Sequence, residues 1–187
     1  MKTTRIISPA RCLDPELHWQ RLGRVRAPES VAVWLQDEGS LTRRLQRHGQ
    51  FSVRPVSQRV AVPTVAEGRL LGLRARQRAL VREVLLLLNG KPVVFARSVL
   101  PLVSLTGANR VLGHMARRSL GAELFRNPRA RRLAVWVAQV PPFRLPVALD
   151  QPAWGRQSLF IKRGRPLLVA EVFLPSAAWL WERPSRL

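Results

Sequence analysis

Between residues 79 and 100 the chain is apolar almost throughout, in two runs of strand length separated by Asn89-Gly90. Asn-Gly accepts the positive φ angles of a tight turn, so Ala79–Leu88 and residues 92–100 are predicted to form a β-hairpin. The pattern recurs near the C-terminal end, where residues 158–162 and 166–174 flank Arg163-Gly164-Arg165. Upstream, residues 28–48 have helical spacing. Val31, Val33, Trp34 and Leu35 supply an apolar face, Gly39 interrupts it, and Ser40 is placed to cap a second helix carrying Leu41 and Leu45 before Gly49. Residues 51–56 alternate as a strand does, and residues 133–140 form another strand-like run. A helix is expected over 108–117, a turn at Leu120-Gly121, and loops over 63–72 and 141–152. Residues 73–78 are charged and fit neither pattern. The strands beyond the proline-rich stretch at 141–152 need partners upstream, so that stretch reads as a loop and not as a linker between domains.

Side chains alternate between the two faces of a strand, so position parity shows which residues share a face. Arg82 falls with Val84, Leu86 and Leu88, while Glu83 falls with Val81, Leu85 and Leu87. Arg97 lies among Val93, Phe95 and Val99, and Glu171 among Leu167, Val169 and Phe173. Every residue from Leu167 to Leu174 is apolar except Glu171, a pattern typical of a strand covered on both faces. A carboxylate at such a position is costly unless it is paired. Two arrangements fit: a sheet curled around an anion pocket, or salt bridges between neighbouring strands. For Glu171 alone, an edge strand with the carboxylate pointing outward is a third.

Composition narrows the class. The 187 residues are 47% hydrophobic, enough for one folded domain with a sizeable core. The single cysteine, Cys12, excludes an internal disulfide and fits a reducing compartment. No apolar run has the length of a signal peptide or a membrane span, so a cytoplasmic protein is expected. His18, His48 and His114 are scattered, and no metal-ligand spacing, Walker motif, GxGxxG or GxSxG appears. No metal and no organic cofactor are expected. Lys and Arg number 32 against 11 Asp and Glu, a formal charge of +21. Such a charge attracts anions: nucleic acid, an acidic membrane surface or a negatively charged metabolite. The arginines are dispersed, with short clusters only at Arg117-Arg118 and Arg129 to Arg132, and no nucleic-acid motif accompanies them. No specific nucleic-acid partner is expected.

The ordered strand motifs resemble those of bacterial chorismate pyruvate-lyases. The likeness is carried by Val81-Arg82-Glu83-Val84-Leu85-Leu86, Asn89-Gly90-Lys91-Pro92 and Phe95-Ala96-Arg97-Ser98-Val99-Leu100-Pro101. It continues through Ser104-Leu105-Thr106-Gly107, Ser119-Leu120-Gly121, Trp154-Gly155-Arg156-Gln157-Ser158 and the segment from Gly164 to Pro175. It runs from about Leu13 onward and is densest from Val81 to Pro175. The resemblance implies an α+β fold over residues 1–187, a single domain in which an antiparallel sheet is flanked by helices that cover a buried ligand pocket. Residues 1–12 and 179–187 are expected as looser tails. It also implies a monomer that converts chorismate into 4-hydroxybenzoate and pyruvate for ubiquinone synthesis. By motif, Arg82 would be the ligand-binding arginine and Glu171 the acid, with the backbone amides of Leu41 and Leu120 meeting the ligand. Leu41 stands where a methionine occurs in a well-known member, a change that a backbone role tolerates. The same resemblance extends to the effector-binding domains of GntR-type regulators, which sense small molecules without catalysis. A regulator would need a DNA-binding domain, for which no room is expected before Pro28. The basic exterior has two readings: steering of a dianionic substrate, or peripheral contact with an acidic membrane.

Overall fold

The computed structural model describes residues 17–115, 118–126 and 128–181. Seven strands, β1 (Gln20–Arg21), β2 (Phe51–Ala61), β3 (Ala79–Leu88), β4 (Lys91–Pro101), β5 (Arg131–Val140), β6 (Ala153–Lys162) and β7 (Arg165–Phe173), form one antiparallel sheet. Their order is β1-β5-β6-β7-β4-β3-β2. Both predicted hairpins are present. Asn89 and Gly90 turn between β3 and β4 at φ of 50° and 76°, and Arg163 and Gly164 between β6 and β7 at 49° and 73°. Positive φ at both positions matches the right-handed twist of the strands they join. Asn89 also accepts the Gln50 N–H through its side chain at 2.8 Å, tying the turn to the start of β2.

β7 lies centrally between β6 and β4, which rules out the edge-strand placement of Glu171. The exposed edge next to β3 belongs to β2, where Pro55 sits at a register shift and so removes no needed donor. β6 starts five residues before the predicted strand. A side chain at Gly155 would bring a Cβ to 3.3 Å from Val140 and Val172, so glycine lets β6 fit tightly between its neighbours.

Helices and loops cover both faces of the sheet, and every residue of β3 is buried. On one face, α1 (Glu29–Leu35) and α2 (Leu41–Gln46) bury Trp34, Leu35, Leu41 and Leu45 against Val84, Leu86, Ala96 and Phe173. The same face carries a second apolar cluster, where Leu112, Met115, Leu120 and Leu124 pack on Leu80, Leu100, Phe160 and Leu167. Each fully buried side chain of this kind contributes about 1.5–3 kcal/mol. The opposite face has its own two clusters, around Leu85, Phe95 and Val172 and around Ala79, Val99 and Leu168.

Three local expectations are corrected. Residues 63–72 contain a helix, α3 (Val65–Leu70), started by a capping box in which Thr64 and Glu67 each bond the other's backbone N–H. Leu120-Gly121 opens a helix, α4 (Leu120–Leu124), because the Ser119 hydroxyl accepts the Ala122 N–H at 3.2 Å. The helix expected over 108–117 is a 3-10 helix at Gly107–His114, with residues 116 and 117 outside the described residues. Cys12 and the expected tails, residues 1–12 and 182–187, also lie outside them. Residues 179–181 belong to α5 (Ala178–Trp181), whose Leu180 is fully buried.

Candidate active site

Between the two apolar clusters on the first face, a row of cross-strand partners runs Val84, Ala96, Glu171, Arg156 across β3, β4, β7 and β6. The next row along is Arg82, Ser98, Val169, Ser158. Antiparallel register therefore places Arg82 and Glu171 on the same face, two strands and one row apart, about 12 Å between Cα atoms from standard strand spacing and rise. Over them lie the N-terminal ends of α2 and α4. Arg82, Glu171, Leu41 and Leu120, the four residues singled out from sequence, all line a single narrow pocket of about 30 Å³.

The covers are built to meet over this pocket. Leu41 and Leu120 each occupy the first position of a helix, where the backbone N–H has no intrahelical acceptor. The Thr42 and Ser119 hydroxyls hydrogen-bond each other, joining α2 to α4. Gly121 permits the approach, since a Cβ there would stand 3.0 Å from the Thr42 Oγ1. Lys162, buried at the end of β6, anchors the segment after α4. Its Nζ donates to the Glu123 carbonyl at 2.7 Å and the Pro128 carbonyl at 3.0 Å, a cation at the carbonyl end of a helix. Burial, with the neighbouring Arg163 charge, holds its ammonium below the usual lysine range.

Three arginines and one glutamate are the charged groups among the described residues that line the pocket: Arg82, Arg132, Arg156 and Glu171. Arg82 donates from Nη2 to the Arg118 carbonyl at 2.9 Å, and burial lowers its pKa from the ordinary arginine value. Arg156 is completely buried and bonds Glu171 from Nε at 2.6 Å. Its Nη1 donates to the carbonyls of Trp34 and Asp37, each at 2.8 Å. Arg132 reaches the same Asp37 carbonyl from Nη1 at 2.9 Å and lies over the Phe160 ring. Burial, and then the charge of Arg156, lowers the Arg132 pKa. Asp37 itself pairs with Arg44 at 3.1 Å and accepts the Gly39 N–H at 2.7 Å.

Arg132 and Arg156 carried no role in the sequence reading. Arg156 stood inside a recognised motif, but the strand was expected to start only at Ser158. Counting the face back from Phe160 through Ser158 would have placed Arg156 beside Glu171. The other two charged strand positions belong elsewhere. Glu83 and Arg97 lie on the opposite face, where Arg97 bonds Glu83 at 2.6 Å and Glu67 of α3 at 2.8 Å. Burial opposes the Arg97 charge, but its hydrogen bonds and the charges of Glu67 and Glu83 raise its pKa overall. Salt bridges between neighbouring strands thus occur on both faces, Arg97 with Glu83 on one and Arg156 with Glu171 on the other. Among the described residues no group of three or more His, Cys, Asp or Glu is placed to hold a metal ion.

A seven-stranded antiparallel sheet with short helices over an arginine-lined pocket defines an α+β fold of the chorismate lyase and regulator-effector type. The effector domain of PhnF from Mycobacterium smegmatis superposes with a TM-score of 0.55 at 16% identity, covering 74% of this chain and 90% of that one. A GntR-family transcriptional regulator from Bacillus cereus gives 0.51 at 12% identity, with coverage of 68% and 94%. These likenesses establish the fold. Sequence resolves the family: the chorismate lyase family model matches residues 14–185, and the chain belongs to that family. A relative from Alcanivorax borkumensis described as "Probable chorismate pyruvate-lyase" is 52% identical over 91% of this chain and 80% of its own. One from Aromatoleum aromaticum with the same description is 45% identical over 84% and 91%.

Proposed function

We propose that this enzyme is a chorismate pyruvate-lyase that forms 4-hydroxybenzoate and pyruvate without metal or organic cofactor. The observation that carries this reading is the convergence of Arg82, Glu171 and the first residues of α2 and α4 on one narrow pocket of a chain in this family. Chorismate is a dianion whose ring becomes aromatic when the enolpyruvyl ether bond breaks and a ring proton leaves. Aromatisation supplies the driving force, so the protein has to orient the substrate and stabilise developing charge. Arg82 and the N–H groups of Leu41 and Leu120 hold the ring carboxylate, with a charge-assisted hydrogen bond worth about 1.5–3 kcal/mol. Glu171 meets the opposite end of the ring, at the hydroxyl that becomes the phenol.

A substituted six-membered ring enters a pocket this narrow only if α2 and α4 part. The product would supply the aromatic ring of ubiquinone, and we place the enzyme in the cytoplasm as a monomer. No helix among the described residues is long and apolar enough to cross a membrane.

The test is incubation of the purified protein with chorismate, without added metal or cofactor, followed by chromatography of the products. Equimolar 4-hydroxybenzoate and pyruvate are expected. Glu171→Gln should lower kcat by roughly 10²–10⁴-fold if the carboxylate transfers a proton, and Arg82→Ala should weaken binding of substrate and product alike. A folded protein that binds 4-hydroxybenzoate but forms no product would instead be a sensor of the regulator-effector kind.

A further inference from the structure

We infer that Arg156 and Arg132 form a second carboxylate site in the same pocket, one that receives the enolpyruvyl carboxylate of the substrate and the pyruvate derived from it. The inference rests on the lyase reading and adds to it the two residues that would recognise the leaving group.

Three observations carry it. The first is an unmet donor: Arg156 is fully buried, and its Nη2 has no hydrogen-bond partner among the described residues although Nε and Nη1 are engaged. The buried Nε of Arg132 is in the same state. Buried guanidinium nitrogens without an acceptor are rare and costly, and an anion is the acceptor that satisfies them best. The second is convergence: both side chains donate to the one Asp37 carbonyl, which sets two cations side by side at the Glu171 end of the pocket. Asp37 does not cancel them, because its carboxylate is held by Arg44 and the Gly39 N–H. Two like charges so close, Arg156 fully buried and Arg132 half-buried, are tolerated when an anion joins them.

The third observation is charge balance. Three arginines against one glutamate leave the pocket lining with an excess of two positive charges, the complement of a dianion. Arg82 and the two helix-start amides account for one carboxylate. The enolpyruvyl ether stands on the ring carbon next to the one bearing the hydroxyl, so with that hydroxyl at Glu171 the second carboxylate falls near Arg156 and Arg132. When the ether C–O bond breaks, its electron pair passes to the departing enol oxygen, and a cation at this end stabilises that charge. The ring proton and the proton gained by the pyruvate methyl balance one another, so the step needs no further reactant.

The site is tested by comparing a two-carboxylate with a one-carboxylate ligand. Arg132→Gln and Arg156→Lys would be prepared, their folding checked by circular dichroism and thermal melting, and kcat/KM for chorismate set beside Kd for 4-hydroxybenzoate. The expected result is a loss of at least about tenfold in kcat/KM, with Kd for 4-hydroxybenzoate moved by less than about threefold. Arg82→Ala, in contrast, should weaken both. Equal weakening of both ligands by Arg132→Gln, or no effect on either, would overturn the inference. Arg156→Lys also disturbs the contacts to Glu171, Trp34 and Asp37, so it is read on kcat/KM only, and the comparison with Kd for 4-hydroxybenzoate is decided by Arg132→Gln. Should the wild-type protein leave chorismate intact, the lyase reading fails, and direct titration of the unreacted dianion still tests the second carboxylate site.

Discussion

Asp37 shows how one acidic side chain organises the cover of the pocket without lining it. Its carboxylate holds Arg44 and the Gly39 N–H, while its carbonyl receives Arg132 and Arg156. Arg44 in turn lies over the Trp34 ring at 3.8 Å. Burial would raise the Asp37 pKa, but the Gly39 hydrogen bond and the positive charges of Arg44 and Arg156 outweigh it and lower the value below 3.8. A carboxyl lowered by folding stabilises the native state above its unfolded pKa, and that contribution is lost as pH falls through the native value. Asp37→Asn should therefore cost roughly 0.5–1 kcal/mol at pH 7. Between pH 7 and a pH below the lowered native value of Asp37, the difference from wild type should close. Urea melts of both proteins at the two pH values check this, and a gap that persisted in acid would show that the charge is not what matters.

At the level of elements, β3 and β4 divide their charged residues by parity, and the two faces use them differently. Arg82 faces the pocket, whereas Glu83 and Arg97 join Glu67 in a buried network behind the sheet, with Ser57 donating to Glu83 at 2.9 Å. Removing the arginine would strand two buried carboxylates. Arg97→Ala is expected to lose about 3–5 kcal/mol of stability, whereas Glu83→Gln, which leaves Arg97 its Glu67 partner, should lose less. Chemical denaturation of both variants tests the order, and equal losses would mean that the network is not centred on Arg97. The hairpins were legible because apolar runs around Asn89-Gly90 and Arg163-Gly164 meet a local backbone requirement. The helix α3 was legible too, in the Thr64-to-Glu67 spacing, but proline and glycine around it were read as loop. α4 was harder: it is five residues long, and its stability comes from Ser119, from Leu120 and Leu124 in the core, and from Lys162, 39 residues beyond Glu123. Contacts at that range leave no mark on the local pattern.

Across the whole molecule the formal charge is +21, and the substrate of a chorismate lyase is an anion. If the exterior steers chorismate inward, kcat/KM should fall as salt rises from about 0.01 to 0.15 M, while the Debye length shrinks from roughly 30 to 8 Å. Stopped assays over that range measure it, and a flat profile would remove steering and leave contact with an acidic surface as the remaining use of the charge. The sequence by itself determined the two hairpins, their turns and the faces on which Arg82, Glu83, Arg97 and Glu171 stand, because a two-residue period and turn chemistry are local properties. Together with its family motifs it also singled out Arg82, Glu171, Leu41 and Leu120. Only the tertiary structure decided that β7 is interior, that α2 and α4 close over Arg82 and Glu171, and that Arg132 and Arg156 share the Asp37 carbonyl. Those facts depend on which strands become neighbours and on where the helices close over them. Residues 37, 132, 156 and 171 come together only when the sheet is assembled.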